Sequence, residues 1–146
     1  MSLGKIVAVG AFLTIPTISL YKFMIARVFD RNAEVSKPPF VSVVMCAYNE
    51  EGFIERALKS LEDQNLTSTY PSCFEYLLID SGSQDYTTAI AEDYGWIVYQ
   101  APRGKLTARH IGMEKARGEI VVSVDADTFY PPNWLNLMLR WFRQPN

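Results

Sequence analysis

The sequence has too few cysteine and histidine residues for a structural metal site built on those side chains. It contains two cysteines, Cys46 and Cys73, and a single histidine, His110. A structural zinc site takes four such ligands, and a disulfide scaffold takes several bridges, so both are excluded. Both thiols are therefore predicted to be reduced.

An excess of positive charge is also missing. The chain has 14 basic and 16 acidic residues, and its formal net charge is -2. Because binding to nucleic acid depends on a basic surface that neutralises phosphates, the composition argues against a nucleic-acid partner. The 146 residues are 49% hydrophobic and 21% charged, which is typical of one globular domain and excludes a fully disordered chain.

One long apolar run is present near the amino terminus. Residues 6–21 carry no charge, and these 16 residues would form a helix of about 24 Å. If Lys22 extends its amine towards the membrane surface, the run continues to Ile25 and reaches roughly 30 Å, the thickness of the hydrocarbon core. Residues 1–29 are therefore predicted to be a membrane anchor. A signal peptide and a buried amphipathic helix are less favoured, because no cleavage site closes the run and apolar residues surround the helix axis.

The charges that flank this run predict its orientation. One basic residue, Lys5, precedes the run, and four lie within or after its end: Lys22, Arg27, Arg31 and Lys37. The positive-inside rule then places the carboxyl-terminal side in the cytosol. Residues 30–39 are polar and end in two prolines, which suits a short linker. The sequence thus predicts a single-pass membrane protein whose domain, residues 40–146, faces the cytosol.

Apolar runs rich in valine alternate with stretches of helical spacing from residue 40 onward. The predicted strands cover residues 41–46, 74–79, 96–99 and 119–124. Predicted helices follow each of them, the first capped by Asn49, whereas residues 65–72 are predicted to form turns. This alternation predicts an α/β fold with a mostly parallel sheet and flanking helices, in which ligands bind beyond the carboxyl ends of the strands.

Two carboxylates follow the last predicted strand. Asp125 and Asp127 are two residues apart, so an extended backbone would direct both side chains the same way. Oxygen ligands suit Mg²⁺ or Mn²⁺, which take one or two carboxylates and complete their coordination with water and phosphates. Without a metal, two carboxylates would repel a diphosphate, so metal-dependent binding of a diphosphate is predicted. A solvated turn is the alternative for an Asp-x-Asp motif considered alone.

Other candidate residues lie near the ends of predicted strands and helices. Asp80 could accept hydrogen bonds from a nucleoside or could cap the next helix, and the spacing favours neither. Lys105 and Arg109 lie at a helix start, where they could contact phosphate or could be surface residues. Tyr48 could stack on a base or pack internally, and Cys46 is predicted to be a core residue.

Four segments, in this order, resemble family-2 glycosyltransferases. They are VSVVMCAYNEE (residues 41–51), DSGSQD (80–85), GKLTARHIG (104–112) and ARGEIVVSVDAD (116–127). The resemblance implies a GT-A fold that binds a nucleotide-diphospho-sugar and transfers the sugar with inversion to a glycan, lipid or protein. It also implies that the donor is bound with a divalent metal.

The same resemblance suggests roles for individual residues. It implies that Asp80 contacts the nucleoside and Lys105 the nucleotide, that Asp125 and Asp127 bind the diphosphate and its metal, and that Ala47, Tyr48 and Glu50 lie beside the nucleotide. Family members continue into an acceptor-binding half that carries the catalytic base. Residues 40–146 are therefore expected to be the donor-binding part of an enzyme, with its base outside this sequence. A membrane-anchored binding fragment without turnover is the alternative.

Overall fold

The computed structural model describes residues 6–9 and 38–142, and the described strands form one parallel sheet. Four strands lie within residues 38–142, and a short strand from the amino terminus adds to one edge. The strands are β1 (Ile6–Val9), β2 (Val41–Ala47), β3 (Phe74–Asp80), β4 (Ile97–Gln100) and β5 (Ile120–Asp125). Their order across the sheet is β1-β5-β2-β3-β4, and all pairs are parallel, as predicted for this α/β fold.

Five α-helices connect or follow the strands in the described part of the chain. They are α1 (Ile54–Glu62), α2 (Asn65–Thr69), α3 (Thr87–Asp93), α4 (Lys105–Lys115) and α5 (Trp134–Arg140). The prediction of turns over residues 65–72 was wrong, because α2 and a 3₁₀ turn at Pro71–Cys73 occupy this segment. Leu66 is fully buried, and the Ser68 and Thr69 hydroxyls donate to carbonyls four residues earlier, so tertiary packing outweighs the turn propensity.

Both faces of the sheet are covered, which explains the continuous apolar runs of the strands. Val43, Met45 and Val122 face the core shared with α1, α3 and α5. Val44 and Val121 face the opposite way and belong to the smaller core beneath α4. Both cysteines are free, in agreement with the prediction of reduced thiols.

The amino-terminal strand differs from the predicted membrane helix. Residues 6–9 pair in parallel with β5, with Ile6 beside Ile120, instead of starting a helix. Their β-branched residues favour extended backbone, and the edge of β5 offers hydrogen-bonding groups to a further strand. The rest of the predicted anchor, residues 1–5 and 10–29, and residues 30–37 of the linker lie outside the described residues. Within residues 6–9 and 38–142, no helix has the length and apolar character needed to cross a membrane.

Polar residues connect the amino-terminal ends of the strands, at the opposite end of the sheet from the Asp-x-Asp motif. The Glu75 carboxylate accepts hydrogen bonds from the Ser42 hydroxyl at 2.5 Å and from the Arg117 backbone N–H at 2.7 Å. The Arg117 guanidinium donates to its other oxygen, also at 2.7 Å. The Ser42 oxygen in turn accepts the Gly118 N–H at 2.8 Å. Glu75 therefore ties β2, β3 and the α4–β5 connection together.

Helix α4 approaches the sheet closely at Gly112. A Cβ atom at this position would lie 2.4 Å from the Val44 Cγ1 atom and 3.1 Å from the Ile79 Cγ1 atom. Gly112→Ala is expected to lower the free energy of unfolding by about 1–2 kcal/mol, because overpacking outweighs the gain in helix propensity. Urea denaturation measures the change, with Gly52→Ala as the control, since no atom lies within 4 Å of a Cβ at Gly52. Equal stability of the two variants would contradict the prediction.

Candidate active site

A cleft lies at the carboxyl ends of β2, β3 and β5, where the fold places the ends of adjacent strands side by side. Ala47 is in register with Asp80, and Cys46 is in register with Asp125. The cavity has a volume of about 260 Å³. Its lining comes from the ends of β2 and β5, from the loops after β2, β3, β4 and β5, and from the start of α4: Cys46, Ala47, Tyr48, Glu50, Ser81, Arg103, Gly104, Lys105, Asp125, Ala126 and Asp127.

The fold gathers most of the predicted site residues in this one cavity. Six of them line it: Ala47, Tyr48, Glu50, Lys105, Asp125 and Asp127. The other two, Asp80 and Arg109, lie next to lining residues but do not line the cavity. Their predicted contacts with a donor remain predictions.

Asp125 is held by two cations. Its Oδ1 atom lies 3.0 Å from Lys105 Nζ and 3.1 Å from the Arg109 guanidinium, and its side chain is 23% exposed. Lys105 and Arg109 are one turn apart on α4, so they face the same end of β5. Arg109 therefore influences the cavity through Asp125.

Asp127 and Glu50 provide the other carboxylates of the cavity. Asp127 is exposed and accepts a hydrogen bond from the adjacent Thr128 hydroxyl at 3.3 Å. Partial burial raises the pKa of Glu50, and the negative charges of Asp127 and Asp85 raise it further. Since the electrostatic influence of Asp127 reaches Glu50, these two carboxylates share one negative region of the cleft.

The residues of the cleft fit a metal that binds mainly to a substrate phosphate. Among the described residues, no group of three or more Cys, His, Asp or Glu side chains could hold a metal by itself. Mg²⁺ and Mn²⁺ do not need such a cage, because one or two carboxylates suffice when water and phosphates complete the coordination. Asp127 presents an exposed carboxylate for this purpose, and Asp125 is already paired with cations.

The balance of charge around the cavity changes the argument for metal dependence. The Asp-x-Asp motif alone predicts that a diphosphate would be repelled. In the structure the carboxylates of Glu50, Asp125 and Asp127 are matched by Arg103 and Lys105 in the lining and by Arg109 behind Asp125. Repulsion is therefore largely offset, and a metal would add attraction to a nearly neutral site.

Two features of the cleft were not predicted. The Arg103 guanidinium stacks on the Tyr48 ring, with its carbon 4.3 Å from the ring centroid, so a cation and an aromatic face meet at the cavity wall. Cys46 packs against the smaller core, as predicted, but it is also partly exposed and lines the cavity, which was not predicted. Burial raises the pKa of its thiol to about 11, which keeps it protonated at neutral pH. The alternation of strand residues places Cys46 on the face of Val44, beside Asp125.

Asp80 is bound within its own loop. It is 1% exposed, and its carboxylate accepts hydrogen bonds from the backbone N–H groups of Gly82 and Ser83. The Ser83 hydroxyl also donates to Asp80, and its oxygen accepts the Asn49 N–H at 2.9 Å. The sequence predicted either a nucleoside contact or a cap of the next helix. In the structure the Asp80 carboxylate caps backbone N–H groups of the loop after β3, and the next helix, α3, begins only at Thr87.

The loops after β2 and β3 are joined by reciprocal hydrogen bonds. Asn49 has a left-handed backbone conformation with φ of 52°, and its side-chain oxygen accepts the Gln84 N–H at 2.8 Å. The prediction that Asn49 caps α1 was wrong, because α1 begins at Ile54. The Glu50 N–H donates to the Thr87 hydroxyl at 2.8 Å. These bonds fix the backbone that carries Tyr48 and Glu50. They join residues more than thirty positions apart in the chain.

Comparison with known proteins agrees with this geometry. The family model described as Glycosyl transferase family 2 matches residues 42–146. Glycosyltransferase AglE of Haloferax volcanii is 34% identical over 105 residues, which are 66% of this chain and 33% of that protein. The chain spans about a third or less of the length of the first curated relatives that it matches.

Two solved structures have a similar fold and contain ligands. The mannosyltransferase PcManGT of Pyrobaculum calidifontis, in complex with GDP-Man and Mn²⁺, has a TM-score of 0.65 and 25% identity, and the match covers 89% of this chain and 41% of that chain. TarS 1-349 of S. aureus, in complex with UDP, has a TM-score of 0.58 and 30% identity, over 66% of this chain and 30% of that chain.

Proposed function

The chain belongs to glycosyl transferase family 2, and on that premise we propose that its cleft binds a nucleotide-diphospho-sugar, the donor of a sugar-transfer reaction. The observation that carries the proposal is the cavity at the carboxyl ends of β2, β3 and β5, which is lined by three carboxylates and two cations, with Arg109 behind Asp125. Such a site can accommodate an anionic diphosphate together with a divalent cation. The ligands of the similar structures, UDP and GDP-Man, support this class of donor.

Transfer would proceed by displacement of the nucleoside diphosphate by an acceptor hydroxyl, with inversion at the anomeric carbon. Lys105 and Arg109 would stabilise the negative charge that develops on the departing diphosphate, because both already hold a carboxylate at the same position. Asp127, with Asp125, would hold Mn²⁺ or Mg²⁺, which when bound supplies positive charge to the diphosphate oxygens. Binding in this cleft would therefore place the leaving group beside the positive end of α4 that carries Lys105 and Arg109.

The catalytic base is not assigned to a described residue. Asp85 accepts hydrogen bonds from Thr87 and from the Glu51 N–H, and these outweigh partial desolvation and keep the pKa of Asp85 below its usual value. A carboxylate with a lowered pKa is a poor proton acceptor at neutral pH. Asp85 is therefore a poor candidate for the base. The second candidate function is a binding fragment that holds a nucleotide-sugar without turnover.

Calorimetric titration tests the proposal with UDP and GDP, each with Mn²⁺ and with EDTA. One of the two nucleotides is expected to bind with Mn²⁺, and its affinity is expected to fall by about tenfold or more with EDTA. Incubation of the same preparation with the corresponding nucleotide-sugars and a set of acceptors then separates the two candidates, because only the enzyme forms product. Failure of both nucleotides to bind under either condition would contradict a donor site.

A further inference from the structure

The hydroxyl of Tyr130 closes the turn that carries the Asp-x-Asp motif. We propose that Tyr130 is a positioning residue for this motif: it fixes the backbone at Asp125 and thereby the placement of Asp127 in the cleft. The inference deepens the proposed function, on which the role of the two aspartates in binding a diphosphate and its metal rests.

Two hydrogen bonds join the Tyr130 side chain to the backbone of a single residue. Its hydroxyl oxygen accepts the Asp125 N–H at 2.8 Å, and its proton is donated to the Asp125 carbonyl at 3.1 Å. Asp125 is the last residue of β5, where backbone pairing with the sheet ends. The Tyr130 hydroxyl therefore restrains the backbone of Asp125, at the point where pairing with neighbouring strands ends.

Buried polar residues of α1 and of the α1–α2 connection anchor Tyr130 itself. Its backbone N–H donates to the Ser60 hydroxyl oxygen at 3.1 Å, and its carbonyl accepts a hydrogen bond from the Gln64 amide at 3.2 Å. Gln64 is fully buried and also accepts the Leu135 N–H at 3.0 Å. The Tyr130 ring packs on Trp134, with centroids 4.6 Å apart. The residue is thus held on both sides, so its hydroxyl has a defined position.

This arrangement places the Asp-x-Asp turn between two restraints. The Asp125 side chain is paired with Lys105 and Arg109 from α4, and its backbone is held by Tyr130 from the opposite side of the sheet. Asp127 itself is exposed and depends on the turn for its position. Loss of the Tyr130 hydroxyl would leave the Asp125 N–H without this acceptor and allow the turn to occupy more conformations.

Tyr130→Phe removes the hydroxyl and preserves the ring, and Tyr76→Phe is a matched control. Tyr76 also packs on a tryptophan, Trp96, with centroids 5.1 Å apart. Burial raises the pKa of both phenols to about 12, so both are neutral. Tyr76 lies in β3 and does not line the cleft, so the two variants lose a similar group at different places.

The first measurement needs no nucleotide. Amide hydrogen exchange at Asp125 is expected to become roughly fivefold to tenfold faster in Tyr130→Phe than in the unmodified chain, and to stay unchanged in Tyr76→Phe. Urea denaturation is expected to show similar losses of stability in the two variants. Unchanged exchange at Asp125 in Tyr130→Phe would overturn the proposal, whatever the chain binds.

The second measurement is the titration with Mn²⁺ and UDP or GDP. Tyr130→Phe is expected to weaken Mn²⁺-dependent binding by about threefold to tenfold, and Tyr76→Phe is expected to leave it unchanged. Equal binding by both variants would overturn the positioning role. If the unmodified chain binds neither nucleotide, the proposed function fails, while the exchange result still decides the structural part.

A second variant applies if Tyr130→Phe fails to fold. Ser60→Ala removes the acceptor of the Tyr130 N–H and is expected to accelerate exchange at Asp125. No acceleration would contradict the proposal.

Discussion

Asp127→Asn is expected to weaken Mn²⁺-dependent binding of UDP or GDP by about tenfold to a hundredfold, the usual cost of losing an interaction with a charged group. Asp127 is the exposed carboxylate of the cleft, whereas Asp125 is paired with two cations. Asparagine keeps the shape of the side chain but removes the charge that attracts a divalent ion. Titration with Mn²⁺ and with EDTA measures the change.

Two further variants make this test specific. Asp93→Asn changes the same residue type at an exposed position at the end of α3 and is expected to bind as the unmodified chain does. Asp125→Asn releases Lys105 and Arg109, so nucleotide binding in EDTA is expected to strengthen while its dependence on Mn²⁺ falls. If Asp127→Asn binds the nucleotide as tightly as the unmodified chain does in Mn²⁺, and loses as much affinity in EDTA, Asp127 is excluded as a metal ligand.

Glu75→Ala is expected to lower the free energy of unfolding by about 2–4 kcal/mol, the cost of breaking a buried network that includes a charge. Glu75 is 6% exposed, and its loss would leave the buried Ser42 hydroxyl and the Arg117 N–H without their acceptor. Urea denaturation gives the change in stability. Glu114→Ala is the control, since its side chain is 63% exposed and its carboxylate lies 3.4 Å from His110 Nε2. A loss of less than about 0.5 kcal/mol for Glu75→Ala, typical of a surface substitution, would contradict the network's contribution.

The pH dependence of stability provides a second measurement for the same residue. Burial raises the pKa of Glu75, but hydrogen bonds from Ser42 and Arg117 outweigh it and hold the pKa below its usual value. A carboxyl whose pKa is lower in the folded state stabilises the protein fully above the unfolded-state pKa of about 4.3, and this contribution is lost as pH falls through the folded-state value. The unmodified chain should therefore lose more stability than Glu75→Ala on acidification below about pH 5.

The strand pattern was predictable because both faces of the sheet are buried. Runs such as residues 41–46 and 119–124 are apolar without alternation, which indicates a central parallel strand, and the structure has β2 and β5 there. Parallel strands end at one edge of the sheet, so the gathering of Tyr48, Lys105 and Asp125 around one cleft followed from the order of the elements. The short helix α2 was missed because its polar, turn-forming residues become helical only through the burial of Leu66.

The sequence by itself determined the parallel α/β architecture, the edge of the sheet where the cleft lies and the chemical types that line it, because periodicity and residue type are local properties. Only the tertiary structure decided how those residues are used. It pairs Asp125 with two cations from α4, binds Asp80 within its own loop and places the Tyr130 hydroxyl on the Asp125 backbone. Each of these contacts depends on the geometry with which loops, helices and strand ends meet, and no local pattern of residues contains that information.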